Sequence, residues 1–410
     1  MSVIKANKHQ VGSNATASKN IVLETNTDGD LVISKGVHDG TLTEVLKVKN
    51  TGGIDSASVG YTPAGTGAVA TTVESKLREI SVSVNDYWPD AGTGGDDTLY
   101  LETAAAAVSV MGGGVVKLKR GTTYRYTRLT LRSSVVFEGE VAGSTVLQCT
   151  DSTTLDAGVS HGSSIRKPDD GQRVYRAGFR NLWIGSGTSG VAALETTFQN
   201  VIGLNLCACE RTVLENVTFA GFGYGAIALA RAEAGAEGLG FVNTTQDGNY
   251  NYGRNITIAS CGRYNPDEAA IWFKYKANSN KFYSVFCKPV YVAFGLSGGN
   301  DNAVYGGSVE SSKSISVLGS GALAVSGNLF IGIRAEGLSS DGYKFLANAS
   351  NNMVFAGYHT GVTGLDFNLT EGPDNRVISD TTNYLRNVAF PPASSYSTLH
   401  NRGGAARHIY

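Results

Sequence analysis

At 410 residues the chain has room for two or three domains, or for one extended repeat array. With 17% charged residues and a formal net charge of −1, no global field favours nucleic acid or insertion at a membrane surface. The 52 glycines against 8 prolines suit many bends between short strands, and the five cysteines include no C-x-x-C pair. A disulfide frame or zinc site is therefore not expected, and Cys149, Cys207, Cys209, Cys261 and Cys287 read as buried thiols in strands.

The first thirty residues hold Lys5, Lys8 and His9 but no apolar run, so neither a secretory signal nor, further on, a transmembrane segment is expected. Residues 20–24, 31–34 and 44–49 read as short strands joined by turns, giving a small β module over residues 1–58. Asp28 and Asp30 lack the remaining ligands of a calcium loop and read as turn residues. Residues 59–84 form a linker that ends in a short helix over 73–80, with Val73, Leu77 and Ile80 on one face. A helix this short needs packing, and copies of itself in an oligomer would supply it.

Residues 85–140 are expected to hold a capping helix and the first coils of a solenoid. The helix runs over 99–111, with Asp97 or Thr98 as N-cap and Gly112, Gly113 and Gly114 as the stop. Strands come next at 115–119, 129–131 and 133–139, and the helix is placed to cover the open apolar end of the stack.

Over residues 141–390 one short pattern recurs. Asparagines stand at 181, 216, 255, 280, 302, 328, 352 and 375, at spacings of 35, 39, 25, 22, 26, 24 and 23 residues. Three places after each stands Ile184, Phe219, Ile258, Tyr283, Tyr305, Ile331, Phe355 or Ile378, and the next residue is always small: Gly185, Ala220, Ala259, Ser284, Gly306, Gly332, Ala356 or Ser379. The later spacings fit single turns of an all-β, single-stranded right-handed parallel β-helix, whose coils bury their apolar faces only by stacking. Apolar residues would fill the tube, asparagine amides would bond to one another at the corners, and the small residues would permit bends. A leucine-rich signature is missing, and Gly, Thr, Ser and Asn interrupt any helical period. Residues 186–206 and 232–252 read as loops leaving the stack, where specificity usually resides. Pro391-Pro392 opens a C-terminal tail, 391–410.

The order of motifs before the repeats carries a family resemblance. Tyr61-Thr62-Pro63-Ala64-Gly65-Thr66-Gly67-Ala68-Val69, the segment 73–80, Val84-Asn85-Asp86-Tyr87, Asp96-Asp97-Thr98, and the run from Gly112 to Gly121 and Tyr124 together resemble bacteriophage tailspikes. The match is to the junction between a virion-binding segment and a pectate-lyase-like β-helix. Two loop positions depart from it: Tyr87-Trp88-Pro89 replaces Phe-Gly-Ala, and Arg120 replaces a proline. The resemblance implies a homotrimer in the virion tail, made in the host cytoplasm and docked through its N-terminus to phage tail or adaptor proteins. It also implies a β-helix that binds, and often cleaves, a bacterial surface polysaccharide, capsule or O-antigen. Multiple weak sites on one spike gain avidity.

Hydrolysis of a glycosidic bond needs two carboxyl groups, about 5–5.5 Å apart for retention and about 6.5–9.5 Å for inversion. Glu310 and Glu336 each stand eight places after an asparagine of adjacent coils, so they are expected to stack, one with a raised pKa suited to a general acid. Lys288 holds the same offset one coil earlier, and Arg334 lies two residues before Glu336, so the column reads equally as a charge ladder on a solvated face. A second candidate is a glycan-binding surface of Asp267, Glu268, Trp272 and Tyr275, near Arg263 and Tyr264, with Arg334 as a further substrate contact. A lyase would need a Lys, Tyr or His base; Lys274 and Lys276 alternate on a strand and read as solvated. His161, His359, His400 and His408 show no metal-ligand spacing, and no nucleotide or other cofactor signature appears. Hydrolytic depolymerisation is the first reading, with receptor binding without turnover, a lyase and a structural tail component as the alternatives.

Overall fold

Within residues 82–379 the computed structural model describes all positions except 142, 153–161, 169–171, 187–197, 230–246, 263–268, 275, 321–322 and 373. Elsewhere it describes residues 8–11, 21–25, 27, 31–35, 43–48, 60–61, 71–72, 388–389 and 398–401. The chain divides into two compact units, Met1–Ser81 and Val82–Tyr410.

The first unit contains a four-stranded antiparallel meander, Lys8–Val11, Ile21–Thr25, Leu31–Lys35 and Thr43–Val48. Its first strand is an addition to the three read from the sequence, and Val22 and Val32 are buried. The short helix expected over 73–80 lies outside the described residues.

The second unit is a right-handed parallel β-helix. Its described strands stack into two long parallel sheets, one of sixteen strands from Val82–Ser83 to Thr398–Asn401, the other of ten from Leu129–Thr130 to Val388–Ala389. No described helix is long and apolar enough to cross a membrane. The helix Thr98–Val110 buries Leu101, Ala104, Ala105 and Val108 in the same core cluster as Val116 and Val135 of the first coils. Asp97 occupies its N-cap but makes no side-chain cap bond; its carboxylate instead accepts the N–H groups of Gly92 and Arg125, each at 2.8 Å. Asp96 accepts from the Thr98 N–H at 3.0 Å in its place.

Inside the tube, apolar residues stack from coil to coil. One column of the larger sheet runs Phe137, Phe179, Leu214, Gly253, Phe282, Val304, Phe330, Val354, Val377. A Cβ on Gly253 would lie 2.4 Å from the Phe282 ring, so the glycine clears space for that side chain. The smaller sheet contributes Ile165, Leu204, Ile227, Ile271, Phe294, Ser316, Tyr343 and Phe367. Each large apolar side chain enclosed this way stabilises the fold by about 1.5–3 kcal/mol. All five cysteines are buried free thiols, Cys207 in a turn, and burial pushes the Cys149 thiol up to about 12.

The eight asparagines belong to two ladders, which corrects the single repeat read from the sequence. Asn181, Asn216 and Asn255 form one, with Nδ2-to-Oδ1 bonds of 2.9 Å between successive members. Their φ angles are 53°, 54° and 52°, and the same left-handed position continues as Ser284 (53°), Gly306 (65°) and Gly332 (64°). Asparagine tolerates this region better than most residues, and glycine occupies it without strain. Asn280, Asn302, Asn328, Asn352 and Asn375 form a second, buried ladder that begins at Asn251. The two ladders are offset by four residues, so the repeat interval at the changeover is 29, from Asn251 to Asn280, not 25.

The apolar column divides in the same way. Ile184, Phe219 and Ile258 point inward and align with Cys287 and Val309. Tyr283, Tyr305, Ile331, Phe355 and Ile378 instead lie half-buried on the outer face, in the column that begins Lys117, Glu138, Arg180, Glu215, Arg254. Of the small residues, Gly185, Ala220 and Ala259 align with Lys288 and not with the bends.

In the buried ladder each Oδ1 accepts both the backbone N–H and the Nδ2 of the previous coil's asparagine; for Asn302 on Asn328 these bonds are 2.9 and 3.0 Å. Asn328 Nδ2 also donates to Gly299 O at 2.9 Å. Replacing Asn328 with alanine strands these groups in the interior and is expected to cost about 1–3 kcal/mol in reversible chemical unfolding. Asn255→Gly, at an exposed left-handed position, is expected to change stability by about 0.5 kcal/mol or less.

Candidate functional site

Two outer faces of the β-helix gather chemistry. On the larger sheet, inward Val285, Cys287, Val309 and Ala335 leave their alternate neighbours on the outer face, where Ser308 is covered by its neighbours. The outward set is Phe286 and Lys288, Ser308 and Glu310, Arg334 and Glu336, then Tyr358 and Thr360 on four successive coils. Phe286 is 50% exposed and Tyr358 47%.

Glu310 and Glu336 are direct register partners, as their spacing predicts. Glu310 accepts from Ser308 Oγ at 2.9 Å and from Lys288 Nζ at 3.2 Å, with Arg334 Nη1 at 3.8 Å. Arg334 Nη2 donates to Glu336 Oε2. The Ser308 hydroxyl, then the Lys288 ammonium, hold the Glu310 carboxyl below its ordinary range. The expectation that one carboxyl of this stacked pair is raised is not met at Glu310, which is lowered: two cations accompany the two carboxylates, so like-charge repulsion does not govern there. The arrangement is an electrically balanced quartet, and exposed pairs of this kind contribute little stability each.

On the smaller sheet the outward column is Ala228, Trp272, Gly295, Val317, Lys344, Asn368, with Ala269, Val292 and Ser314 beside it. Ile202, Ala228, Ala269, Trp272 and Val292 form an apolar cluster separate from the core, flanked by Tyr224, Tyr291 and Val317. Next to it lies a groove of about 250 Å³. Ala269, Val292, Gly295 and Val317 supply its apolar surface, and Lys313, Lys344, Asp341 and serines 314, 320 and 340 its polar groups.

Lys274 is buried, with Nζ 3.7 Å from the Trp272 ring centroid, so it is not the solvated side chain that strand alternation suggested. Lys313 Nζ lies 3.0 Å from Tyr291 Oη and 4.2 Å from the centre of that ring. Asp341 accepts from the Leu365 N–H at 2.9 Å and from Asn368 Nδ2 at 2.8 Å.

Of the residues singled out from sequence, Glu310, Glu336 and Arg334 come together, while Trp272 lies on the other sheet. Asp267, Glu268 and Tyr275, with Arg263 and Tyr264, lie outside the described residues. The groove residues Lys313, Asp341 and Lys344, and Tyr291 beside Lys313, were missed because no asparagine recurs from coil to coil along the smaller sheet. Counting outward positions from Trp272 at one-coil intervals would have found Val317 and Lys344.

These features define a right-handed parallel β-helix protein with two chemically distinct outer faces. Among solved structures it is similar to a mutant tailspike protein of E. coli bacteriophage HK620 in complex with a pentasaccharide, at TM-score 0.52 and 13% identity, covering 84% of this chain and 69% of that one. It is also similar to ORF18 of Geobacillus virus E2, at TM-score 0.51 and 12% identity, covering 96% and 69%. An iota-carrageenase from A. fortis aligns at TM-score 0.46 and 13% identity over 68% of this chain, which spans 56% of that enzyme's length. No protein-family model and no curated protein matches the chain.

A group whose folded pKa is depressed contributes stability above its unfolded value and loses it as pH falls through the folded one. For Glu310 that window lies below the ordinary 4.5. A carboxyl-carbon NMR titration is expected to find Glu310 titrating below that value, and Ser308→Ala is expected to move it back upward. Titration at or above the ordinary value in the unmutated protein would contradict the quartet.

Proposed function

We infer that this protein is a tailspike-like tail protein that recognises a bacterial surface polysaccharide, capsule or O-antigen, on the outside of its β-helix. The observation that carries this reading is the outer groove of the smaller sheet beside Trp272, Tyr224 and Tyr291. Apolar and aromatic surface covers sugar faces while a few placed polar groups bond hydroxyls and charges. The likeness in fold to a tailspike holding a pentasaccharide supports it. In this reading residues 1–58 attach to the phage tail or an adaptor, 59–84 link, 85–140 cap the stack, and three copies of the 141–390 β-helix add avidity.

Hydrolytic depolymerisation is the finer alternative, with Glu310 and Glu336 as the pair that would carry it. Their register contact favours that possibility, with the lowered Glu310 suited to the base or nucleophile role and not the acid; the hydrogen bonds that already occupy both Glu310 oxygens favour binding without turnover.

The test exposes the purified protein to a panel of bacterial capsular and O-antigen polysaccharides, following binding, new reducing ends and unsaturated-uronate absorbance. Binding without either product is expected, and Val317→Trp, which fills the groove, is expected to weaken it at least about tenfold. New reducing ends that vanish in both Glu310→Gln and Glu336→Gln would establish hydrolysis instead, and uronate absorbance a lyase. Failure to bind any member of the panel would sink the glycan reading.

A further inference from the structure

The groove's polar groups identify the chemistry of what enters it. Lys313 and Lys344 face one carboxylate there, Asp341, both of whose oxygens already accept hydrogen bonds. Lys313 donates to Tyr291 Oη, which leaves two of its three ammonium hydrogens. Lys344 follows Val317 in the outward column and, among the described residues, has no hydrogen-bond or ion-pair partner. The cation excess is therefore not neutralised from within the groove.

A second observation points the same way. Trp272 is only 8% exposed, yet its indole Nε1 has no hydrogen-bond partner among the described residues. A buried donor without an acceptor is costly, and such groups in folded proteins usually meet a ligand or water. The neighbouring groove residue is Gly295, where an added Cβ would lie 3.9 Å from Cδ2 and Cε2 of Trp272, Cε2 being the carbon bonded to Nε1. Gly295 therefore brings the groove wall to within van der Waals distance of the indole, whose Nε1 itself is enclosed behind it.

Resting on the glycan-binding reading, we propose that the groove beside Trp272 selects an anionic sugar residue, whose charged group is held by Lys344 and Lys313. A carboxylate or phosphate on the glycan supplies the acceptors that these donors lack, and charge-assisted bonds of this kind are the strong ones. A neutral sugar would leave the ammonium groups facing uncharged hydroxyls, at a cost in affinity. Binding should weaken as salt rises, because the pairs are accessible to ions.

The experiment takes the polysaccharides that the full-length protein binds in the panel and repeats titration calorimetry after carboxyl reduction and, separately, after removal of phosphate by cold hydrofluoric acid. Loss of binding after the first treatment identifies a carboxylate and after the second a phosphate; either upholds the proposal. Lys344→Ala is expected to bind about tenfold more weakly, with Lys344→Arg close to the unmutated protein and Lys119→Ala, an exposed lysine outside the groove, unchanged. Equal thermal unfolding of the variants separates a binding effect from misfolding, and the treated polysaccharides test the unmutated protein even where a variant does not fold. Tight binding of a neutral polysaccharide, or binding that survives both treatments, overturns the anionic selection while leaving glycan recognition standing. Binding to no polysaccharide overturns both.

Discussion

The buried asparagine ladder is the constraint on which the rest of the β-helix depends. Each coil must turn, and each turn exposes peptide groups that no strand partner satisfies. The side-chain amide of asparagine has both an acceptor and two donors, so one residue per coil can serve the neighbours on either side. Asn302 takes the N–H and Nδ2 of Asn280 on its Oδ1, gives its own to Asn328, and donates to the Ala277 carbonyl at 2.8 Å. Glutamine would be a methylene too long, aspartate would bring charge, and serine could not serve all these partners. Because the amide of one coil is the partner of the next, the ladder fixes register as well as stability. Residues at equal offsets from successive asparagines must then stack.

Fixed register is what turns single residues into columns, and columns do different work on the two sides of the wall. Inward, the columns are mostly apolar, with Ser316 an exception, and in the last coils His359 Nδ1 lies 3.3 Å from Asp366 Oδ1 and its ring stacks on Tyr343 and Phe367. Outward, one column alternates charge through Lys117, Glu138, Arg180, Glu215 and Arg254, then changes to Tyr283 and Tyr305, stacked at 4.7 Å. The interior demands the same chemistry of every coil; the exterior does not, and its composition can change from one coil to the next without disturbing the stack.

That difference explains what could be read from the sequence. The solenoid was legible because asparagine at coil spacing has few other causes. The phase was not, because two corners of the coil both favour asparagine for unrelated reasons: one needs an amide that bonds both ways, the other a residue at positive φ. At the second corner Ser284, Gly306 and Gly332 satisfy the same backbone demand, so identity is lost there while geometry persists. Glu310 and Glu336 were placed correctly because both follow members of one ladder by eight residues. The lowered pKa of Glu310 was not foreseen, since Ser308 and Lys288 reach it only after the strands align. No motif marked the groove, because Trp272, Gly295, Val317 and Lys344 are 23, 22 and 27 residues apart and no shared residue type joins them; only the coil interval does.

The two outer faces also show why the number of charges is a poor guide to a binding surface. In the quartet both oxygens of Glu310 have donors, and Arg334 reaches both carboxylates. A ligand there would have to displace bonds already made, and would regain little more than it broke. The groove holds fewer charges, but Lys344 on its wall, and the enclosed indole Nε1 of Trp272 beside it, have no acceptor among the described residues. Folding has satisfied the first surface and left the second incomplete. Unmatched donors beside apolar surface are the combination that an incoming molecule can complete at a net gain, and the β-helix can carry such a site because its register is set elsewhere, by the asparagines in its wall.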